Sequence, residues 1–207
     1  MKKKIRRVIP LCLAFALIFA LPAYAADTDV YIVQKGDSLW KISLKYQVGI
    51  SEIISANPQF KNPSLIYPGD KVTVPLFTEV KSIEAQVLSL TNAERAKNGL
   101  SALTMNWELA RVARYKSQDM INKKYFSHDS PTYGSPFDMI KSFSIKYSAA
   151  GENIAYGQPT ASAVVTAWMN SPGHRANILS KNFTQLGVGY AKSGNGTAYW
   201  TQMFIRP

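Results

Sequence analysis

Tyr31-Ile32-Val33-Gln34-Lys35-Gly36-Asp37-Ser38-Leu39-Trp40-Lys41-Ile42 joins two kinds of local structure in a single short stretch. Val30-Tyr31-Ile32-Val33 reads as a short strand of β-branched and aromatic residues. Gly36-Asp37-Ser38 breaks it, and Asp37 or Ser38 is placed to cap a helix that begins near Leu39. Leu39, Ile42 and Tyr46 recur at helical spacing and give that helix a buried stripe. A second short helix is predicted after Gly49, with Ile50, Ile53 and Ile54 inward. It ends before Pro58, because the residue preceding a proline is pushed out of the α region. Pro68-Gly69-Asp70 marks a turn, and Val72-Thr73-Val74 closes the unit as a second strand. The order over residues 30–75 is strand, helix, helix, strand.

The opening stretch resembles the start of a LysM domain. Asn57-Pro58 and Leu65-Ile66-Tyr67-Pro68-Gly69-Asp70-Lys71-Val72 match the closing half of that family at its spacing. The resemblance implies a βααβ fold that binds N-acetylglucosamine-containing glycans such as peptidoglycan or chitin. A glycan chain needs a shallow groove with apolar surface for sugar faces and backbone groups for acetamides. Carried onto this chain, the groove would be formed by Gly36, Asp37, Ser38 and Leu39 on one side. Asn57, Pro58, Leu65, Ile66, Tyr67, Pro68 and Gly69 would form the other. The bland alternative for Gly36, Asp37, Pro68 and Gly69 is that they only make turns and caps. A single copy implies weak affinity, with retention depending on the many equivalent sites of a polymer.

On the N-terminal side, residues 1–25 read as a secretory signal peptide. Lys2, Lys3, Lys4, Arg6 and Arg7 precede an apolar stretch, and Ala23-Tyr24-Ala25 offers a cleavage site. That stretch carries Pro10 and Pro22 and is short for a membrane span of about 20 residues. A retained anchor is the alternative. Cys12, the one cysteine, lies within it after a poor lipidation signal, so the mature chain must fold outside the cell without disulfides. Removing residues 1–25 takes away five basic and no acidic residues, so the net charge of +11 becomes +6. This moderate, dispersed surplus suits a polyanionic cell wall. No nucleic-acid motif accompanies it, and no other run is apolar and long enough to cross a bilayer.

On the C-terminal side, residues 76–80 form a joint too brief and too apolar for a free tether, so the two units are expected to touch. Beyond it the pattern turns to longer helices. Val80, Ile83, Val87 and Leu90 mark one that stops near Asn98-Gly99. Met105, Leu109, Val112, Ala113 and Met120 mark a second, residues 136–143 a short third, and Ala161, Val164, Val165, Trp168 and Met169 a fourth. Leu186-Gly187-Val188-Gly189-Tyr190 reads as a strand whose one face carries only glycine, allowing close backbone packing. Residues 199–205 are apolar on both faces, as in a strand between helical layers.

Five segments in this half are similar to the bacterial CAP domain, of the superfamily of cysteine-rich secretory, antigen 5 and pathogenesis-related proteins. They are Asn92-Ala93-Glu94-Arg95, Tyr125-Phe126-Ser127-His128, Gly151-Glu152-Asn153-Ile154-Ala155, Trp168-Met169-Asn170-Ser171-Pro172-Gly173-His174-Arg175 and Tyr199-Trp200-Thr201-Gln202. The resemblance implies an αβα sandwich over residues 81–207, with Glu152-Asn153-Ile154 in a third strand. The chain is thus expected to be α+β, a small βααβ module followed by that sandwich. Animal and plant members carry two histidines and two glutamates in one cleft, sometimes with zinc. His128 and Glu152 match two of these, Asn182 stands at the second histidine, and Ser171 stands near the second glutamate. His174 belongs to the bacterial pattern.

His128, Glu152 and His174 suit a first-row metal or acid–base work on a water. Equally, they suit a structural cluster that ties loops together. Trp168 and Trp200 are expected in the core. There is no serine nucleophile elbow, His-Glu-x-x-His or mature-chain cysteine. The expected protein is non-enzymatic, secreted and cell-wall-associated, its CAP domain meeting a protein or small ligand. It requires no cofactor, zinc at His128, Glu152 and His174 being the optional one. The alternative is a wall-targeted protease or murein hydrolase using those three residues, and the LysM opening, which is similar to that of spore-coat assembly proteins, also allows the spore envelope.

Overall fold

The computed structural model describes residues 27–207; the expected signal peptide, residues 1–25, lies outside the described residues. The N-terminal module runs β1 (Thr28–Ile32), α1 (Leu39–Tyr46), α2 (Ile50–Ala56) and β2 (Lys71–Pro75). The strands pair antiparallel from Thr28↔Pro75 to Ile32↔Lys71. Of the two cap candidates, Ser38 is the one used, its Oγ accepting from Lys41 N at 3.2 Å. Asp37 instead ties the loop, accepting from Tyr31 Oη and Gln34 N, each at 2.8 Å. Leu39, Ile42, Ile53, Val72 and Val74 form the core. Ile54, expected inward, is exposed: α2 is short, and its neighbour Ile53 takes the buried position.

The second unit is a four-stranded sheet between two helical layers. Its elements are α3 (Thr78–Lys97), β3 (Thr104–Met105), α4 (Trp107–Asn122), α5 (Pro136–Ser142), β4 (Ala149–Tyr156), α6 (Ala161–Met169), α7 (Pro172–Ile178), β5 (Gln185–Lys192) and β6 (Ala198–Arg206). The sheet order is β3-β5-β6-β4. Because successive strand side chains alternate faces, β6 feeds two cores. Trp200 and Phe204 pack with Val87, Val164, Trp168 and Ile178 of α3, α6 and α7. Met203 and Ile205 pack with Leu109, Val112, Met139 and Ile140 of α4 and α5.

The glycines of β5 set the spacing of the second layer. A Cβ on Gly187 would lie 2.4 Å from the Leu109 carbonyl carbon, and one on Gly189 would lie 2.0 Å from that of Ala113. The backbone of α4 therefore rests directly on this strand. Met105, expected on α4, belongs instead to β3 and is exposed, because Asn106 caps α4 by accepting from Leu109 N at 2.9 Å. Helix α7, unforeseen as a helix, starts with proline at its first turn. Among the described residues, no helix is long and apolar enough to cross a membrane.

Helix α3 begins inside the expected joint, at Thr78, and Phe77 packs against both cores. The two units do touch. Tyr115 Oη donates to Glu52 Oε1 at 2.6 Å, and Lys81 Nζ donates to the Tyr46 carbonyl at 3.2 Å.

Candidate functional site

The groove loops of the small module are brought together by backbone bonds at one residue. Val33 N donates to the Asp70 carbonyl, and Gly69 N donates to the Val33 carbonyl, both at 2.9 Å. Gly36 and Gly69 take φ of 89° and 95°, a conformation that glycine adopts without steric cost. Leu65 and Tyr67 stand exposed beside this junction, with Gly36, Pro58, Pro68 and Gly69 also at the surface. Asp37, Ser38 and Ile66 are half-buried, while Leu39 and Asn57 lie in the interior. Asn57 is a brace: its Nδ2 donates to the carbonyls of Ile53 and Thr73, each at 2.7 Å. Its Oδ1 accepts from Thr73 N at 2.8 Å and Gln59 Nε2 at 2.9 Å. Every hydrogen-bonding position of that amide is taken, so Asn57 shapes the groove from beneath.

In the sandwich, His128 and Glu152 are in contact, with Nδ1 2.7 Å from Oε1. The imidazole is about half exposed and the carboxylate is buried. Burial pushes the Glu152 carboxyl up, while the hydrogen bond to Glu152 raises His128. Burial holds His174 below its usual value, and the neighbouring His128 charge adds to this. His128 and His174 line one cleft of about 440 Å³, with Ser171 on its wall and Trp168 in its lining. Asn182 lies outside that lining; it is exposed, and its carbonyl accepts from Arg206 Nε at 2.9 Å. Trp168 and Trp200 are buried, as expected, their indole N–H groups donating to the carbonyls of Ile154 and Gln158.

The residues that hold this cleft in shape escaped the sequence reading. Lys116 is fully buried on α4, and its Nζ donates to the His128 carbonyl at 2.6 Å. Asp119, one turn on, accepts from Tyr125 and Ser130 at 2.7 Å and from Thr132 at 2.6 Å. Together they fasten residues 125–132 over the sheet. Asn153, at the centre of β4, donates to the His174 carbonyl and to Gln202 Oε1, both at 3.1 Å, and accepts from Asn177 at 2.9 Å. Gln202 Nε2 then donates to Thr91 Oγ1 at 2.9 Å. The available signal was a set of polar residues at positions whose spacing puts them in the core.

A metal would need donors free to meet on one point. Glu152 Oε1 faces His128 Nδ1, and its Oε2 is buried without a partner. Among the described residues, no group of three or more His, Cys, Asp or Glu side chains is placed to hold one ion. What the cleft does offer is an imidazole oriented by a buried carboxylate, a second imidazole whose charged form is disfavoured by burial, and an apolar lining.

A two-module chain of this kind, a βααβ unit packed on an αβα sandwich with an imidazole–carboxylate cleft, defines a class by its architecture. Residues 88–204 match the cysteine-rich secretory protein family (CAP) and residues 31–75 match the LysM domain, so the chain belongs to the CAP family and carries a LysM domain. It does so without the family's cysteines, since Cys12 is the one in the sequence.

The uncharacterized protein YkwD of Bacillus subtilis (strain 168) is 59% identical over 128 residues, 62% of this chain and 49% of that protein. SpoIVD-associated factor A of the same organism is 56% identical over 46 residues, 22% of this chain and 12% of its own length. The crystal structure of an extracellular protein containing an SCP domain from Bacillus anthracis str. Ames superposes with a TM-score of 0.57 at 36% identity. It covers 68% of this chain and 47% of the other. The chain spans half or less of the length of these relatives.

Proposed function

We propose that this chain is a secreted, wall-associated protein whose LysM groove docks on the N-acetylglucosamine of peptidoglycan while the CAP cleft binds a ligand there. The observation that carries the reading is the junction at Val33. It holds the Gly36 loop against the Tyr67–Gly69 turn and leaves Leu65 and Tyr67 exposed beside them. Exposed apolar side chains beside backbone groups match the two faces of an N-acetylated sugar. The likeness to an extracellular protein of Bacillus anthracis supports export. The LysM likeness to SpoIVD-associated factor A supports a spore envelope as the alternative location, which imaging of a fluorescent fusion through sporulation would decide.

The test is co-sedimentation of the mature chain with purified peptidoglycan. Tyr67→Ala with Leu65→Ala is expected to weaken retention about tenfold, in keeping with loss of a central apolar anchor. Equal retention of the variant and the parent chain sinks the groove assignment. The second reading, a protease or murein hydrolase using His128, Glu152 and His174, draws on the His128–Glu152 pair. It requires turnover of labelled peptidoglycan or protein that His128→Ala abolishes, measured with the metal content of the purified chain.

A further inference from the structure

Beside the two imidazoles lies a row of three aromatic rings. Phe126, in the loop after α4, and Tyr156, at the end of β4, have centroids 4.6 Å apart. Tyr156 in turn stacks on Tyr199 of β6, 5.6 Å away with the planes inclined by 25°. Phe126 and Tyr156 are 46% and 51% exposed, and both line the cleft that holds His128 and His174. The planes of Phe126 and Tyr156 are inclined by 58°, so together with Tyr199 they form an apolar wall at the edge of the cleft.

The polar groups in the same cleft narrow the ligand. Gln158 Oε1 is buried without a hydrogen-bond partner and belongs to the lining. Ser127, Ser171 and the imidazoles add short-range donors and acceptors around it. Ring edges and faces for C–H surfaces, together with the hydroxyls of Ser127 and Ser171 and the two imidazoles for sugar hydroxyls and acetamides, suit a pyranose chain better than a charged or purely apolar ligand.

We propose that the Phe126–Tyr156 platform and the adjoining cleft form a second saccharide site, which takes N-acetylated glycan chains. This rests on the reading that the chain works at the wall, but not on the LysM groove being the docking site. Two sites on one chain would engage one polymer together and raise retention above that of either alone.

The test is a titration of the full mature chain, followed by NMR, with peptide-free glycan oligomers prepared from peptidoglycan. The Trp168 indole reports on the cleft, and the Gly36 and Gly69 amides report on the groove. Both sets are expected to shift in the parent chain. Phe126→Ala with Tyr156→Ala should abolish the Trp168 shift and leave the glycine shifts, whereas Tyr67→Ala should do the reverse. An unmoved Trp168 signal in the parent chain overturns the proposal and leaves the groove reading standing. A Trp168 shift produced by stem peptide and not by glycan also overturns it, and assigns the cleft to peptide. A Trp168 shift with silent glycines supports the cleft and sinks the groove.

Discussion

Tyr115 of α4 donates its hydroxyl hydrogen to Glu52 Oε1 of α2 at 2.6 Å, and this bond joins the LysM module to the CAP sandwich. Ser51 lies 3.0 Å from the same hydroxyl, and Arg111 reaches to 4.0 Å from Glu52 Oε2. Burial pushes the Tyr115 phenol well above its usual range, with the Glu52 charge reinforcing the shift. The phenol therefore stays protonated and donating. Tyr115→Phe is expected to destabilise the chain by about 1–2 kcal/mol in urea denaturation, the cost of a charge-assisted bond between half-buried partners. It should also broaden the distribution of inter-module distances seen by small-angle scattering. Unchanged stability would show that Phe77 packing and the Lys81–Tyr46 bond set the joint without it.

Asn57 supports the groove through four hydrogen bonds that span α2, β2 and the loop between them. Asn57→Ala leaves both the N–H and the carbonyl of Thr73 without their partner. A loss of about 2–4 kcal/mol is expected, since each buried group left unpaired costs about 1–3 kcal/mol. Fast hydrogen exchange confined to residues 50–75 would locate the damage.

Gly189 meets the backbone of α4, not a side chain that could turn aside, at 2.0 Å for an added Cβ. Gly189→Ala must displace the helix, so the expected loss is at the upper end of overpacking costs, about 3 kcal/mol. Thermal unfolding measures it. Gly194, whose added Cβ meets nothing, serves as the neutral control.

The two histidines should titrate apart. His128 is raised by its bond to Glu152, and His174 is lowered first by burial and then by the His128 charge. With two imidazoles in the chain, their C–H proton signals are readily assigned. His128 should titrate above 6.5 and His174 below it. Glu152→Gln should bring His128 down. For stability, the raised His128 contributes fully below the ordinary imidazole value and loses its contribution as pH rises through its folded value. The lowered His174 acts in the opposite sense below 6.5. Denaturation across this range in His128→Asn should therefore show a shallower decline above 6.5 than the parent chain, what remains being the part that the raised Glu84 carboxyl contributes.

Glu84 is buried on α3, with its Oε1 3.0 Å from Arg114 Nε, and burial pushes its carboxyl up to about 8 despite that guanidinium. The folded chain thus keeps a proton that the unfolded chain has released. Stability from this group is present below about 4.5 and falls away as pH rises toward 8. Glu84→Gln should flatten that decline in urea denaturation, and an unchanged slope would show that the carboxyl is ionised in the fold.

The order of elements was legible because it depends on local rules. Strand-forming residues before Gly36, a cap at Ser38 and helical spacing of Leu39, Ile42 and Tyr46 each act within a turn or two of chain. The glycine face of 186–190 likewise announced close packing, which the α4 backbone fulfils. Motifs pointed to the glycan-loop residues and to His128, Glu152 and His174, and of these His128 and Glu152 are brought into contact. The misreadings fell where a local pattern met a decision made elsewhere. Ile54 and Met105 continue an apolar rhythm but sit where the fold has no partner surface for them.

By itself, then, the sequence determined most of the stretches that become strands and helices, α7 and β3 aside, since those depend on neighbours along the chain. Only the tertiary structure decided that Lys116, Asp119, Asn153 and Gln202 turn inward to build the cleft, and that Phe126 and Tyr156 stand open beside it. A buried polar group is tolerated only where partners from distant segments converge on it. That convergence is a property of packing, not of any stretch of chain.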